Sequence, residues 1–418
     1  MEKFLIKGGK RLNGVVELCG AKNAVLPILV GAILSEEEVV LKNVPVLLKD
    51  IKVMLALFEE LGVRVIVEGS TVRIFGKNIS KWSLPQELTG KIRSSLLLLG
   101  LLLAKMGKVR ISLPGGCAIG DRRFDLHIDG LRALGCRMDV GDDYVYGEVE
   151  KLKGAEIEFY LPTTTGTENI ILAACFAEGK TVLKNANTRP EIIDMCRFLN
   201  SMGAKITVSN RVIEIEGIDR LNGTEYTIMS GIDEAVTYII ATGVTGGEII
   251  IKNFSLEFIG SDVEYLRKAG IEIFEWGGSV YVSAKKEIQP FDMFTAPYPG
   301  VNSDMQPLFA ALALKAKGES TITNTRFTDR FQYVQELKKF EVDIEAYGNC
   351  AVVRGNKKIK GAKVKALDLR GGTASIIVGL IADGETEIEN IYQIDRGYEQ
   401  IEKKLKGLGA DIERVEIK

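Results

Sequence analysis

Six times along 418 residues the chain ends a helical, apolar stretch with a Leu-Gly-like turn and goes straight into a strand pattern. The copies read "FEELGVRV", "LRALGCRM", "LNSMGAKI", "LRKAGIEI", "LKKFEVDI" and "LKGLGADI". Gly62, Gly135, Gly203, Gly270 and Gly409 mark five of the turns, and Glu341 takes the fifth slot in order. Successive marks lie 67 to 73 residues apart. Glycine at the end of a helix suits a residue at positive φ, where a Cβ is penalised. A second signature precedes each helix: a short strand, often closed by asparagine, as in "EEVVLKNVP", "GKTVLKNAN", "GEIIIKNFS" and "GETEIENIY". An amphipathic helix follows, of the kind written by "EIIDMCRFLNSMGA", where Ile192, Ile193, Met195, Cys196, Leu199 and Met202 fall on one face.

The repeat is therefore strand, loop, helix, turn and paired strands in about 70 residues. A unit that long, mixing sheet with helix, does not stack as an ordinary solenoid. Six copies in a chain too long for one core predict an α/β (α+β) protein of two domains, three repeats each, with a cleft between pseudo-symmetric halves. Charged residues make up 26% and the formal net charge is −2, so no basic surface for nucleic acid is expected. The amino-terminal "MEKFLIKGGK" lacks a signal-peptide layout, and the longest apolar run, Leu96 to Ala104, is too short to span a bilayer. A cytoplasmic protein with no membrane insertion is expected. The six cysteines form no C-x-x-C pair and read as free thiols. Cys175 and Cys196 sit in apolar runs that suit the core. With His127 the one histidine, neither a Cys/His metal site nor any other metal site is expected. Its setting, "DLHIDGL", favours a structural role over a catalytic base.

Chemistry concentrates in four places. "LPGGCAIGDRR" sets Cys117 in a glycine-rich loop beside Arg122 and Arg123, whose charge lowers a thiol's pKa and grips anions. Arginine recurs after the same strand in other repeats, as Arg330 and Arg396, which points to a shared anion-binding cleft. "CGAKNAVLPIL" presents Lys22 and Asn23 ahead of an apolar helix, a point charge for phosphate beside a two-way hydrogen-bonding amide. In "TAPYPGVNSDMQPLFAAL" Ser303 or Asp304 caps a helix, or Asp304 acts as a base; the chemistry favours the cap. "ALDLRGGTASIIVGL" brings Arg370 to a Gly-Gly turn at a helix start, a possible anion site but no P-loop.

Taken together, "GAKNAVLPIL", "LPGGCAIGDRRFDLHIDGL", "TTTGTENIILAACFAEGKTV", "TAPYPGVNSDMQ", "DLR" and "IDRGYEQIEKKLKGLGADI" resemble the UDP-N-acetylglucosamine 1-carboxyvinyltransferases, a family of enolpyruvyl transferases, across essentially the full length. The resemblance implies two inside-out α/β barrel domains, one over 22–229 and one over 1–21 plus 230–418. It implies transfer of the enolpyruvyl group of phosphoenolpyruvate to the 3-hydroxyl of UDP-N-acetylglucosamine, the first committed step of peptidoglycan synthesis, with no cofactor. Cys117 would then be the proton donor and Asp304 the base, overriding its reading as a cap. Lys22, Arg122 and Arg396 would hold phosphoenolpyruvate. Asn23, Arg93, Arg123, Phe124, Asp125, Leu126, Thr164, Thr165, Gly166, Arg326, Arg330 and Arg370 would complete the substrate-binding set. The chain departs from the family's usual pattern at Arg123, Arg189, Arg326, Thr328 and Asp329. It departs also in "SGIDEAVTY" (Ser230 to Tyr238), where Pro-Asp-Arg-Ile-Glu-Ala-Gly-Thr is usual. Two other readings stay open: a paralogue with a different acceptor, and a non-catalytic copy that binds UDP-sugar. The shikimate-pathway enolpyruvyl transferase shares the fold, and the Cys117 loop speaks against it.

Overall fold

The computed structural model describes residues 2–113, 124–327 and 330–416. The chain divides into two compact units, a split one from residues 2–19 and 230–416 and a continuous one from residues 20–113 and 124–229. Each unit contains three sheets among the described residues, and one strand order recurs in them. In the continuous unit, Glu156–Glu158 lies parallel to Lys180–Lys184, which pairs antiparallel with Val212–Glu216 and through it with Lys205–Ser209. Thr224–Thr227 stands in the same way beside Glu38–Lys42. In the third sheet of this unit the parallel neighbour shrinks to a bridge between Ser83 and Arg110. The split unit repeats the pattern with Asn13–Glu17 beside Glu248–Lys252 and Asp292–Phe294 beside Glu319–Thr323. Its last sheet is closed by the start of the chain. Glu2–Lys7 pairs with Glu385–Glu389 on one side and Asp411–Glu416 on the other.

Each repeat holds a helix that the repeat read from sequence leaves out. In the continuous unit these are Lys22–Ala32, Leu97–Met106 and Thr164–Ala174; in the split unit they are Ile232–Thr245, Gln306–Ala313 and Leu369–Gly379. Ala24 to Ala32 are all buried in the first, and every residue of the last two is buried. A helix apolar all round has no face to offer water, so it is driven to the middle. Within each unit the three pack on one another. The amphipathic helices, Pro190–Ser201 among them, and the sheets lie outside, each turning one face inward. This is the expected α/β class with helices innermost. The run Leu96 to Ala104 falls in one of these central helices, and no helix among the described residues is long and apolar enough to cross a membrane.

Local rules explain the two sequence signatures. All five turn glycines have positive φ, and Glu341 adopts the same conformation at φ 60°. Asn43, Asn185, Asn253 and Asn390 also have positive φ, which asparagine tolerates better than most residues. Their side chains do a second job. The Nδ2 groups of Asn43, Asn185 and Asn390 donate to the carbonyls of Ile228, Phe159 and Ala366, just beyond the parallel strands. Each asparagine thus ends its own strand and ties down the neighbouring one. Cys175 and Cys196 are buried in the core, and the five cysteines among the described residues are free thiols.

Candidate active site

The split unit brings two of the arginines named from sequence, Arg330 and Arg370, to one carboxylate, Asp304. Asp304 lies in the short turn Ser303–Met305 that leads into the central helix Gln306–Ala313. It does not cap that turn, and neither does Ser303. The cap is Asn302, whose Oδ1 accepts from the Asp304 N–H at 3.3 Å. Asn302 already satisfies this donor, and the Asp304 side chain is left for other partners. Its Oδ1 lies 2.6 Å from Arg330 Nη2 and its Oδ2 3.4 Å from Arg370 Nη2. Both guanidinium groups are buried, whereas the Asp304 side chain is 26% exposed. Two fixed cations therefore orient a carboxylate that still reaches solvent. The buried Nε atoms of Arg330 and Arg370 have no hydrogen-bond partner among the described residues.

Arg370 belongs to the Gly-Gly segment proposed above as a helix-end anion site, and the structure corrects that reading. Asp368 caps the helix Leu369–Gly379, accepting from the N–H groups of Arg370 at 2.8 Å and Gly371 at 3.0 Å. A side-chain carboxylate already fills the place an anion would take. Arg330 and Arg326 both lie against the Phe327 ring, at 5.9 and 5.4 Å from its centroid. Arg326 itself is exposed. An Asx turn shapes this loop, with Asn324 Oδ1 accepting from the N–H groups of Arg326 and Phe327. Arg396 is buried and donates to Gln393 Oε1 at 3.1 Å.

In the continuous unit Lys22 opens the central helix Lys22–Ala32, with Asn23 next to it and both partly exposed. Lys22 Nζ sits 2.7 Å from Asp50 Oδ2, and the Asp50 side chain is only 7% exposed. Sequence reading missed Asp50. The signal was there: in the amphipathic helix Lys49–Glu60 it falls in phase with the buried Met54, Leu57 and Phe58.

His127 anchors the second group in this unit. Gly100 N–H donates to Asn169 Oδ1 at 2.7 Å, in a contact between two central helices that leaves no room for a Cβ at Gly100. That bond turns the Asn169 amide so that its Nδ2 donates to His127 Nδ1 at 3.0 Å. The ring proton then sits on Nε2 and is donated to Thr165 Oγ1, 3.1 Å away. Burial, assisted by the Arg93 cation and opposed by Asp125, pushes the ring's pKa down to about 3. His127 is a neutral scaffold for Thr165, in keeping with the structural role favoured above. Thr165 stands in the first turn of the helix Thr164–Ala174, where Thr163 caps the Gly166 N–H and Thr164 accepts from Asn187 Nδ2 at 3.0 Å. Asp125 accepts from the Tyr160 hydroxyl at 2.7 Å, while Phe124 and Leu126 pack on the core. Arg189 pairs with the buried Glu191 in its own helix start. Cys117, Arg122, Arg123, Thr328 and Asp329 lie outside the described residues.

The sequence profile of the EPSP synthase family (3-phosphoshikimate 1-carboxyvinyltransferase) matches residues 6–405. The UDP-N-acetylglucosamine 1-carboxyvinyltransferase of Geotalea daltonii is 44% identical over 417 residues, with 100% of both chains covered. The UDP-N-acetylglucosamine 1-carboxyvinyltransferase 2 of Carboxydothermus hydrogenoformans is 43% identical, covering 99% of this chain and 100% of that one. Among solved structures, the enolpyruvyl transferase NikO from Streptomyces tendae matches with a TM-score of 0.90 at 23% identity, over 99% of this chain and 98% of NikO. EPSP synthase from Acinetobacter baumannii matches at 0.78 and 19% identity, with 100% of both chains covered. At such identities the two structures speak for the fold.

Proposed function

The chain belongs to the enolpyruvyl transferase family, and from that we propose that it transfers the enolpyruvyl group of phosphoenolpyruvate to the 3-hydroxyl of UDP-N-acetylglucosamine and releases phosphate. This is the first committed step of peptidoglycan synthesis, carried out in the cytoplasm. The relatives' shared name supports the acceptor. In the structure, one observation carries the chemistry furthest: a partly exposed carboxylate, Asp304, held by two buried guanidinium groups.

The sugar oxygen bonds to C2 of phosphoenolpyruvate while the methylene carbon takes a proton, giving a tetrahedral ketal that still carries phosphate. Loss of a proton from the new methyl group and rupture of the C2–O bond to phosphate then restore the enol ether. Asp304 accepts the proton of the sugar hydroxyl, its lone pairs oriented by Arg330 and Arg370. Cys117 protonates the methylene carbon. Lys22, Arg122 and Arg396 hold the phosphate and carboxylate of phosphoenolpyruvate, which lowers the entropic barrier and stabilises developing charge. Asn23, Arg93, Asp125 and the Thr164-Thr165-Gly166 turn contact the nucleotide sugar. The neutral His127 behind Thr165 supports that turn without titrating.

Phosphate release from phosphoenolpyruvate should depend on UDP-N-acetylglucosamine, with an enolpyruvyl-sugar product by mass. Cys117→Ser should lower turnover by roughly 10²-fold or more while sugar-nucleotide binding persists. Full turnover in that variant would remove Cys117 as the proton donor. Release with other nucleotide sugars but not this one would favour a different acceptor.

A further inference from the structure

The stretch "SGIDEAVTY", which departs from the family's usual run, places an acid where it closes a ring of hydrogen bonds around Arg370. Asp233 stands in the first turn of the central helix Ile232–Thr245. Its Oδ2 pairs directly with Arg370 Nη2, the same nitrogen that reaches Asp304 Oδ2. The other arm of the guanidinium, Nη1, donates to the Tyr398 hydroxyl at 3.0 Å. The single proton of Thr237 Oγ1 is committed to a backbone carbonyl, so across their 2.7 Å contact Thr237 accepts and the Tyr398 hydroxyl donates. Thr237 in turn donates to the Asp233 backbone carbonyl at 2.7 Å. The relay leaves Arg370 by one nitrogen and returns to it by the other through a single residue. Tyr398 and Thr237 are buried, and the Arg370 guanidinium also lies 5.4 Å from the Tyr398 ring centroid.

We infer that Asp233 is a positioning residue for the transfer reaction: it holds Arg370 and takes up part of its charge, so that Asp304 keeps enough proton affinity to act as a base. The inference rests on the reading of Asp304 as that base. The charges around Asp233 support the division of labour. Arg370 and, beyond it, Asp304 and Arg330 face it from neighbouring elements. Asp368 is occupied as a helix cap. Glu234, next to Asp233 on its own helix, is engaged by Lys404 and by the Cys19 N–H. Arg370 thus has two carboxylates to satisfy, one 13% exposed and the other 26% exposed. The more buried carboxylate binds the guanidinium directly, and the more open one is held at longer range. Removing the Asp233 charge would free Arg370 for Asp304 and delete a like charge nearby. Both changes favour the ionised form of Asp304 and weaken it as a base.

The test follows phosphate release as a function of pH for wild type, Asp233→Asn and Asp304→Asn, with phosphoenolpyruvate and UDP-N-acetylglucosamine as substrates. Asp233→Asn is expected to move the acid limb of kcat/KM to lower pH by about half a unit. Its plateau kcat should fall about threefold, with KM for the sugar nucleotide changed by less than about twofold. A merely structural role would not move the limb in that direction. An acid limb at the wild-type pH in folded Asp233→Asn overturns the inference. Should that variant not fold, Asp233→Ala suits the helix and carries the same expectation and the same overturning result. Asp304→Asn separates the two readings. If it is inactive while the limb of the Asp233 variant is unshifted, only the role of Asp233 fails; if it retains wild-type turnover, the base assignment itself fails.

Discussion

Enclosed by Thr165 and Asn169, the His127 ring titrates at about 3, far below its ordinary 6.5. On unfolding the ring regains its ordinary affinity and takes up a proton. The stability it confers is therefore present above pH 6.5 and is lost as the pH falls toward 3. His127→Gln should flatten that acid-side decline by a few kcal/mol, on the order expected for a shift of this size. Urea midpoints measured from neutral to acid pH would check it, and an unchanged slope would mean that another group governs the decline. A lone histidine inside "DLHIDGL" could be read as structural because the apolar residues around it forecast burial. The partners of the charged residues could not be read in the same way. Periodicity marks Asp50 as buried but does not name Lys22 as its partner, and nothing local pairs Arg370 with Asp233, because both pairs are made by packing between helices. The Asp304 cap was misplaced by a similar margin of information. Asparagine, serine and aspartate stand in a row, all good caps, and backbone geometry alone selects Asn302.

At the level of elements, the turn that ends each outer helix was legible because it depends on one backbone angle. Five glycines and Glu341 share positive φ, so Glu341 carries a strain that the glycines avoid. Glu341→Gly should stabilise the protein by about 0.5–1 kcal/mol, even though it gives up an exposed ion pair with Lys360. Such surface pairs contribute little. Denaturant unfolding would decide the sign, and a loss of stability would show that the ion pair outweighs the backbone term. Marker strands and amphipathic helices were legible for a related reason, since their periodicity records which face is buried. The parallel strands were not. Glu156–Glu158, Asp292–Phe294 and Lys363–Lys365 have three residues each, too few to display a period. The central helices carry no stripe because every side is buried, so several could be read as apolar helices but not as a recurring part of the repeat.

For the whole molecule, the telling contact is the first strand lying between two of the last. Phe4 and Ile6 are fully buried there, and Glu2 stands opposite Glu416 in the sheet. Joining these neighbouring strands through a short Gly-Ser linker and opening the chain at the exposed Asn210 turn should leave melting temperature within a few degrees and turnover intact. Deleting residues 2–7 should unfold the split unit, read as a lost melting transition. A deletion variant that melts like wild type would show that the strand is dispensable. The same contact has a meaning in time. Ribosomes work from the amino end at roughly 5–20 residues per second, so Glu2–Lys7 emerges about twenty seconds or more before Asp411–Glu416 can meet it. Meanwhile the continuous unit has all its strands. Every nascent copy passes through a stage with one half finished and the other open at a sheet edge, and that edge is where crowding between neighbouring ribosomes would first be felt.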